Sequence, residues 1–187
     1  MSALPSFPDR MSATLLKQGQ VGIGPLLPQD VGAMFTWMND VEANGLDLPH
    51  RPTDGQAFAT WLANLAADSA RVLFMIRRAG STDTVGFVIL QAIHPVHRSA
   101  NLGVRIGQEQ HRGQGIGKAA IALALDYAWD HLNLMRVQLQ VIADNQRAID
   151  AYIACGLAVE GRHVDAAYIN GKWHDMLTMA VLRPSGR

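Results

Sequence analysis

The stretch Gln110-His111-Arg112-Gly113-Gln114-Gly115-Ile116-Gly117-Lys118 constrains this chain most, because its glycines and basic side chains fall between a strand-like run and a helix-like run. Glycines permit positive φ and close backbone approach, and the first turn of a following helix offers unpaired N–H groups and a dipole that favours anions. The stretch predicts a strand-to-helix loop built to hold phosphate. Around it the pattern is mixed α and β. Upstream, 71–77 and 84–90 read as a hairpin turned at 80–83, and 100–106 reads as a third strand. Downstream, Ile116, Ala119, Ala120, Leu123, Ala124 and Tyr127 recur at helical spacing. A strand at 136–141 follows, then a short helix from an Asn145 cap to Ala154 with Gly156 at its end, then a second hairpin turned at Asn170-Gly171. Nearer the N-terminus, 21–27 reads as an edge strand, while 30–37 and 54–67 read as helices, the second capped by Thr53-Asp54. Residues 1–19 read as a mobile leader before a single domain, 20–187.

Composition narrows the partners. With 16 Lys+Arg against 16 Asp+Glu there is no global basic field, so neither nucleic acid nor an anionic membrane is expected as partner. No apolar run approaches the roughly 20 residues that span a bilayer, and 1–20 lacks the apolar core of a secretory signal. The lone Cys155 leaves no intrachain disulfide and fits a reducing compartment. A cytoplasmic protein is expected.

Three ligands compete for the glycine loop. A Walker A loop needs glycine at the position Arg112 holds and a hydroxyl where Ala119 stands, so that reading is discounted. A dinucleotide fingerprint is met by Gly115-x-Gly117-x-x-Ala120, with Asp144 ending the next strand. Only 43 residues follow Asp144, however, and they read as one short helix and a hairpin, too little for further βαβ units. A ligand-free turn is the bland alternative, and the density of glycine beside Arg112 and Lys118 counts against it.

The third ligand comes with a family likeness. Arg112-Gly113-Gln114-Gly115-Ile116-Gly117 resembles the Arg/Gln-x-x-Gly-x-Gly/Ala signature of the GCN5-related N-acetyltransferases (GNAT). Asn145-Gln146-Arg147-Ala148-Ile149-Asp150-Ala151-Tyr152, then Cys155-Gly156-Leu157, resembles that family's Asn-x-x-Ala-x-x-x-Tyr…Cys-Gly-Phe block. The hairpin from Tyr168 to Asp175 is similar to the ends of spermidine and of ribosomal-protein alanine N-acetyltransferases. The resemblance spans roughly 20 to 182. It implies an α/β (α+β) GNAT fold, a mixed, mostly antiparallel central sheet flanked by helices, with strands splayed at an acetyl-CoA site. By the same resemblance the amides of 112 to 117, with Arg112 and Lys118, would bind the pyrophosphate of acetyl-CoA without a metal. Amides of Val104 and Ile106 would pair with pantetheine and polarise the thioester carbonyl.

The implied reaction is direct acetyl transfer to an amine in a ternary complex. Tyr152 is the candidate acid: a thiolate whose conjugate acid has a pKa of about 8.5 takes a proton readily from a phenol near about 10. Asn145 has two readings, helix cap or pantetheine contact. The base is open. An alkylammonium with a pKa of about 10.4 must lose a proton before attack, yet Asn101 stands where polyamine acetyltransferases typically carry Glu. Asp40, Glu42, His50 and Asn101 are the acceptor-side candidates, with His94 and His97 on neighbouring loops. Cys155 lacks a His/Asp pattern and reads as a small buried residue rather than a nucleophile. The expected acceptor is a small primary amine of polyamine or amino-sugar type. A protein N-terminus and a non-catalytic CoA-binding module are the alternatives, and a homodimer or higher homo-oligomer is expected.

Overall fold

The computed structural model describes residues 14–40 and 52–186. The chain begins with a hairpin of β1 (Leu16–Gln18) and β2 (Val21–Gly24), turned at Gly19 with φ +57°. Leu16, Lys17 and Gln18 face Ile23, Gly22 and Val21, and Leu16 packs on the main core. A leader running to residue 19 is therefore corrected: its last residues belong to the sheet. Three residues are too few to show alternation in sequence, so the strand exists through its partner. Residues 1–13 lie outside the described residues.

Helices α1 (Asp30–Asn39) and α2 (Gly55–Ala67) follow. Asp54 caps α2, accepting from the amides of Gln56 at 2.9 Å and Ala57 at 2.8 Å, which satisfies two donors the helix itself cannot. The start of α1 is fixed by a buried ion pair. Asp30 accepts from Leu27 N at 2.8 Å and pairs with Arg77, a side chain with no exposure, whose Nη2 also donates to Pro25 O at 3.2 Å. Desolvating both charges costs about what their attraction returns, so this pair sets position more than it adds stability.

The remaining elements are β3 (Val72–Arg78), β4 (Thr84–His94), β5 (Ser99–Ile106), α3 (Ile116–Asp130), β6 (Arg136–Ile142), α4 (Gln146–Ile153), β7 (Ala158–Ile169) and β8 (Lys172–Leu182). A 3-10 turn at Glu109–His111, not expected from the sequence, sits ahead of the glycine loop. Asn170 and Gly171, with φ of +50° and +81°, make the tight turn between β7 and β8 that their sequence predicts. The strands form one sheet in the order β1-β2-β3-β4-β5-β6-β8-β7. All neighbours are antiparallel except β5 and β6, which run parallel.

Two different layers cover this sheet. On one face, Phe74, Val88, Leu90, Ala100, Leu102, Val137, Leu139 and Met179 meet the apolar side of α3 and α4, including Ile121, Ala124 and Ile149, in the main core. On the other, Met34 and Trp37 of α1 and Phe58 of α2 close over Met75 with Leu73 and Phe87. Glycines permit the closest approaches: a Cβ at Gly107 would stand 2.0 Å from the Trp37 ring, and one at Gly86 would stand 2.1 Å from Arg105 O. These positions bring α1 and β4 tight against the segment that leads into the glycine loop.

Candidate functional site

The parallel pair β5/β6 is short. Its register runs Ser99↔Arg136, Ala100↔Val137, Asn101↔Gln138, and no pairing continues beyond it. Past that point the strands diverge. Hydrogen-bond polarity shows which amides the divergence exposes. Gly107 N donates to Val85 O at 2.9 Å, so odd-numbered amides of β5 face β4, while Arg136 N donates to Arg98 O at 3.2 Å, which turns even-numbered amides toward β6. The amides of Val104 and Ile106 thus point into the gap, and both residues line a cleft of about 1110 Å³ that fills it.

At one end of the cleft is the glycine loop. Gly113 and Gly115 have φ of +74° and +75°, and Gly115 is the N-cap of α3. Left-handed backbone here costs any other residue roughly 1–2 kcal/mol. The loop turns its amides and the N-terminus of α3 toward the cleft, where Arg112, Gly113, Gly115, Gly117 and Lys118 line the wall. The amide of Arg112 is used elsewhere, donating to Glu109 O at 2.9 Å. Its contribution on the cleft is thereby narrowed to the side chain. Ile116 is a core residue, and Gln114 braces the loop by donating to Gln110 O at 2.6 Å; neither lines the cleft. Arg78, which the sequence did not single out, reaches across from the end of β3 to Gln114 Oε1 at 2.5 Å and His111 Nδ1 at 3.2 Å. It adds a cation behind the loop, beside the Arg112 and Lys118 of the cleft wall.

Helix α4 forms the opposite wall. Asn145 Oδ1 accepts from Ala148 N at 3.2 Å, so of its two readings the cap is realised, and Asn145 lines the cleft as well. The helix closes in a Schellman motif: Leu157 N donates to Tyr152 O at 3.1 Å, Gly156 N donates to Ile153 O at 2.9 Å, and Gly156 takes φ +88°. This frame holds Tyr152, 9% exposed, with its side chain in the core and on the cleft wall. Cys155, half-buried, lies 3.5 Å through Sγ from Lys118 O and does not line the cleft. Burial pushes its thiol pKa up, and the nearby Lys118 charge only partly opposes this. A thiol held protonated is a poor nucleophile.

The other face of the diverging strands is polar. Gln138 Nε2 donates to Asn101 Oδ1 at 3.0 Å, and Gln91, Gln140 and Thr178 continue the lining. Arg105 reaches back to donate to Trp37 O at 2.9 Å. Of the acceptor-side candidates, Asn101 is in the cleft; Asp40, at the end of α1, does not line it. Glu42 and His50 lie outside the described residues. His94 and His97 stack on each other at 4.1 Å in the β4–β5 turn, away from the cleft. His163 and Thr178, on the hairpin of β7 and β8, line it and were missed, because nothing local in the sequence marks a strand that reaches the site only through sheet order.

The Acetyltransferase (GNAT) domain family model matches residues 20–158. The chain belongs to the GNAT acetyltransferase family. It is 35% identical over 116 residues to a spermidine N(1)-acetyltransferase of Vibrio cholerae, a stretch covering 62% of this chain and 66% of that protein. The chain thus spans just under two thirds of that relative's length. In structure it is similar to the spermidine N-acetyltransferase from Vibrio cholerae in complex with CoA and spermine, with a TM-score of 0.81 at 27% identity over 87% of this chain and 95% of that one. A dodecameric form of the same enzyme gives 0.73 at 27% identity, over 87% and 94%. The GNAT fold expected from the sequence, with its mixed and mostly antiparallel sheet, is the fold present.

The residues on the cleft suit a CoA thioester. A diphosphate is matched by oriented amides, a helix N-terminus and the charges of Arg112 and Lys118, and a chain of amide groups is matched by the β5 edge. Among the described residues, no helix is long and apolar enough to cross a membrane.

Proposed function

We propose that this GNAT protein transfers the acetyl group of acetyl-CoA to a primary amine of a small molecule, of polyamine type, by direct attack within a ternary complex. One observation carries the reading: a single cleft joins the left-handed glycine loop, the β5 amide edge and Tyr152. Each part has work in such a transfer. The loop anchors the diphosphate, the Val104 and Ile106 amides orient the thioester and stabilise charge on its oxygen, and Tyr152 protonates the departing thiolate. The amine reaches the carbonyl from the polar face carrying Asn101 and Gln138, opposite the α3 side.

Two comparisons favour the polyamine class, since the relatives named above are spermidine acetyltransferases. By the same likeness we propose a homo-oligomeric assembly, and we propose a reducing, cytoplasmic setting, with which a lone Cys155 agrees. Thiol release from acetyl-CoA, measured with spermidine, spermine, an amino sugar and N-terminal peptides, tests the proposal. Release with the polyamines above the rest is expected. Release only with peptides would move the acceptor to protein N-termini. No release with any amine, while acetyl-CoA still raises the melting temperature, would leave a CoA-binding module. Stabilisation by NAD instead of acetyl-CoA would overturn the ligand.

A further inference from the structure

The polar face of the cleft lacks an obvious proton acceptor at Asn101, and the registers show where the rank of side chains on that face leads. Gln91 is opposite Asn101, Asn101 opposite Gln138, Gln140 opposite Thr178, and His163 opposite Met176, so these side chains share one face of the sheet from β4 to β7 along a diagonal that steps two residues on β6, from Gln138 to Gln140, and two on β8, from Thr178 to Met176. Amides and a hydroxyl can orient an amine; none of them can take a proton from an ammonium. The diagonal ends on His163, whose Nε2 lies 2.9 Å from Thr178 Oγ1. Both line the cleft.

The geometry points to His163 as the base that deprotonates the acceptor amine, with Thr178 as the residue that positions it. The inference rests on the acetyltransferase reading. When Thr178 accepts from Nε2–H, the lone pair sits on Nδ1, the nitrogen the hydroxyl leaves open. The β7–β8 register shifts between His163 and Ala167, as at a β-bulge, and the irregular stretch is braced by Asp175, which accepts from Asp165 N at 2.9 Å and from Arg162 Nε at 2.6 Å. Bulges commonly re-aim a side chain in this way.

The proton balance closes. The ammonium gives one proton to Nδ1, and the exposed edge strand lets His163 return it to water. The free amine attacks the carbonyl carbon, a C–N bond forms and the C–S bond breaks. The thiolate takes a proton from Tyr152, and the second proton leaving nitrogen restores the phenol. Among the described residues, the other ionisable groups on the cleft have partners or belong to its other walls. His111 is held by Arg78 at the loop, Asp150 lines the cleft from α4 and accepts from Gln146 Nε2 at 2.7 Å, and Arg105 donates to Trp37 O. Arg147, Arg112 and Lys118 belong to the donor end. Beside His163, Arg162 is paired with Asp175, and on β8 His174 is paired with Asp144.

The test is the pH profile of kcat/KM for CoA release with the best amine of the panel, in the wild type, His163→Gln and Thr178→Val, alongside the affinity of each for acetyl-CoA. His163→Gln is expected to lower kcat about 100-fold or more and to remove the acidic limb, since base catalysis commonly contributes 10²–10⁴, with acetyl-CoA affinity and melting temperature unchanged. Thr178→Val is expected to lower kcat several-fold and keep the limb. A His163→Gln variant with wild-type kcat and an intact acidic limb would overturn the inference while leaving the acetyltransferase reading in place. A wild type that releases no CoA with any amine would remove both.

Discussion

The two sides of the cleft are built on opposite plans. The proposed donor side is made of backbone: left-handed Gly113 and Gly115, the first turn of α3, and the edge amides of β5. The proposed acceptor side is made of side chains gathered from separate strands, Asn101 on β5, Gln138 on β6, Thr178 on β8 and His163 on β7. A backbone site recognises what is common to every CoA thioester and tolerates little change in conformation. A side-chain site can be exchanged residue by residue without disturbing the fold, so the acceptor half is the one open to change. Mutations should therefore separate donor affinity from acceptor turnover, and Tyr152, which stands where the two sides meet, should affect the chemistry alone.

Tyr152→Phe should have an effect as large as that of His163→Gln and larger than those below. It removes one hydroxyl from a side chain already fixed by the core, so kcat should fall about 100-fold or more while acetyl-CoA affinity, measured by calorimetry, stays as it was. A parallel loss of affinity would mean that the phenol holds the donor instead of serving the leaving group. Gly115→Ala comes next and should act only on the donor. The added Cβ meets nothing within 4 Å, so the whole penalty is the left-handed φ of roughly 1–2 kcal/mol, or about 5- to 30-fold weaker acetyl-CoA binding if the loop relaxes out of its conformation. At saturating acetyl-CoA, kcat should recover. Binding unchanged by Gly115→Ala would break the contrast, because the loop would then not depend on its backbone.

The same contrast explains what the sequence disclosed. Gly113, Gly115, Asn145 and Gly156 act through their own φ or through caps a few residues away, so their spacing alone announces a loop before a helix and a capped helix beyond it. Tyr152 stands out only through the resemblance of the Asn145–Tyr152 block to the family's pattern. The reach of Arg78 to Gln114, the Gln138–Asn101 bond and the His163–Thr178 contact each join residues far apart in the chain. Only the strand order β5-β6-β8-β7 brings the last two pairs to the cleft, and no periodicity encodes that order. The boundary error at β1 has the same origin, since Leu16–Gln18 is a strand only because β2 is beside it.

On the acceptor side, Asn101→Ala should produce a smaller change confined to that half. It removes the partner of Gln138 Nε2, a bond between neutral groups worth about 1 kcal/mol net. The KM for the amine should rise about 5-fold, with acetyl-CoA affinity unchanged, as read from initial rates varied in each substrate. A matching shift in donor affinity would show that the two halves are coupled through β5.

Cys155 should have the smallest effect, although it follows the family-like block and sits beside Lys118. Its Sγ is turned to Lys118 O and away from the cleft, so Cys155→Ala should keep kcat and KM within about 2-fold, as expected for a residue whose role is packing. The thiol itself gives a second reading. Burial raises its pKa above that of a free thiol, with the Lys118 charge working in the opposite direction. Because the thiolate is the reactive form, alkylation by iodoacetamide near neutral pH should be slower than for a cysteine peptide. As pH rises, the peptide's rate should level off first, while that of Cys155 continues to climb. An alkylation rate above the peptide's, or loss of turnover in Cys155→Ala, would put a reactive group on the donor wall and call for an acyl-enzyme in place of direct attack.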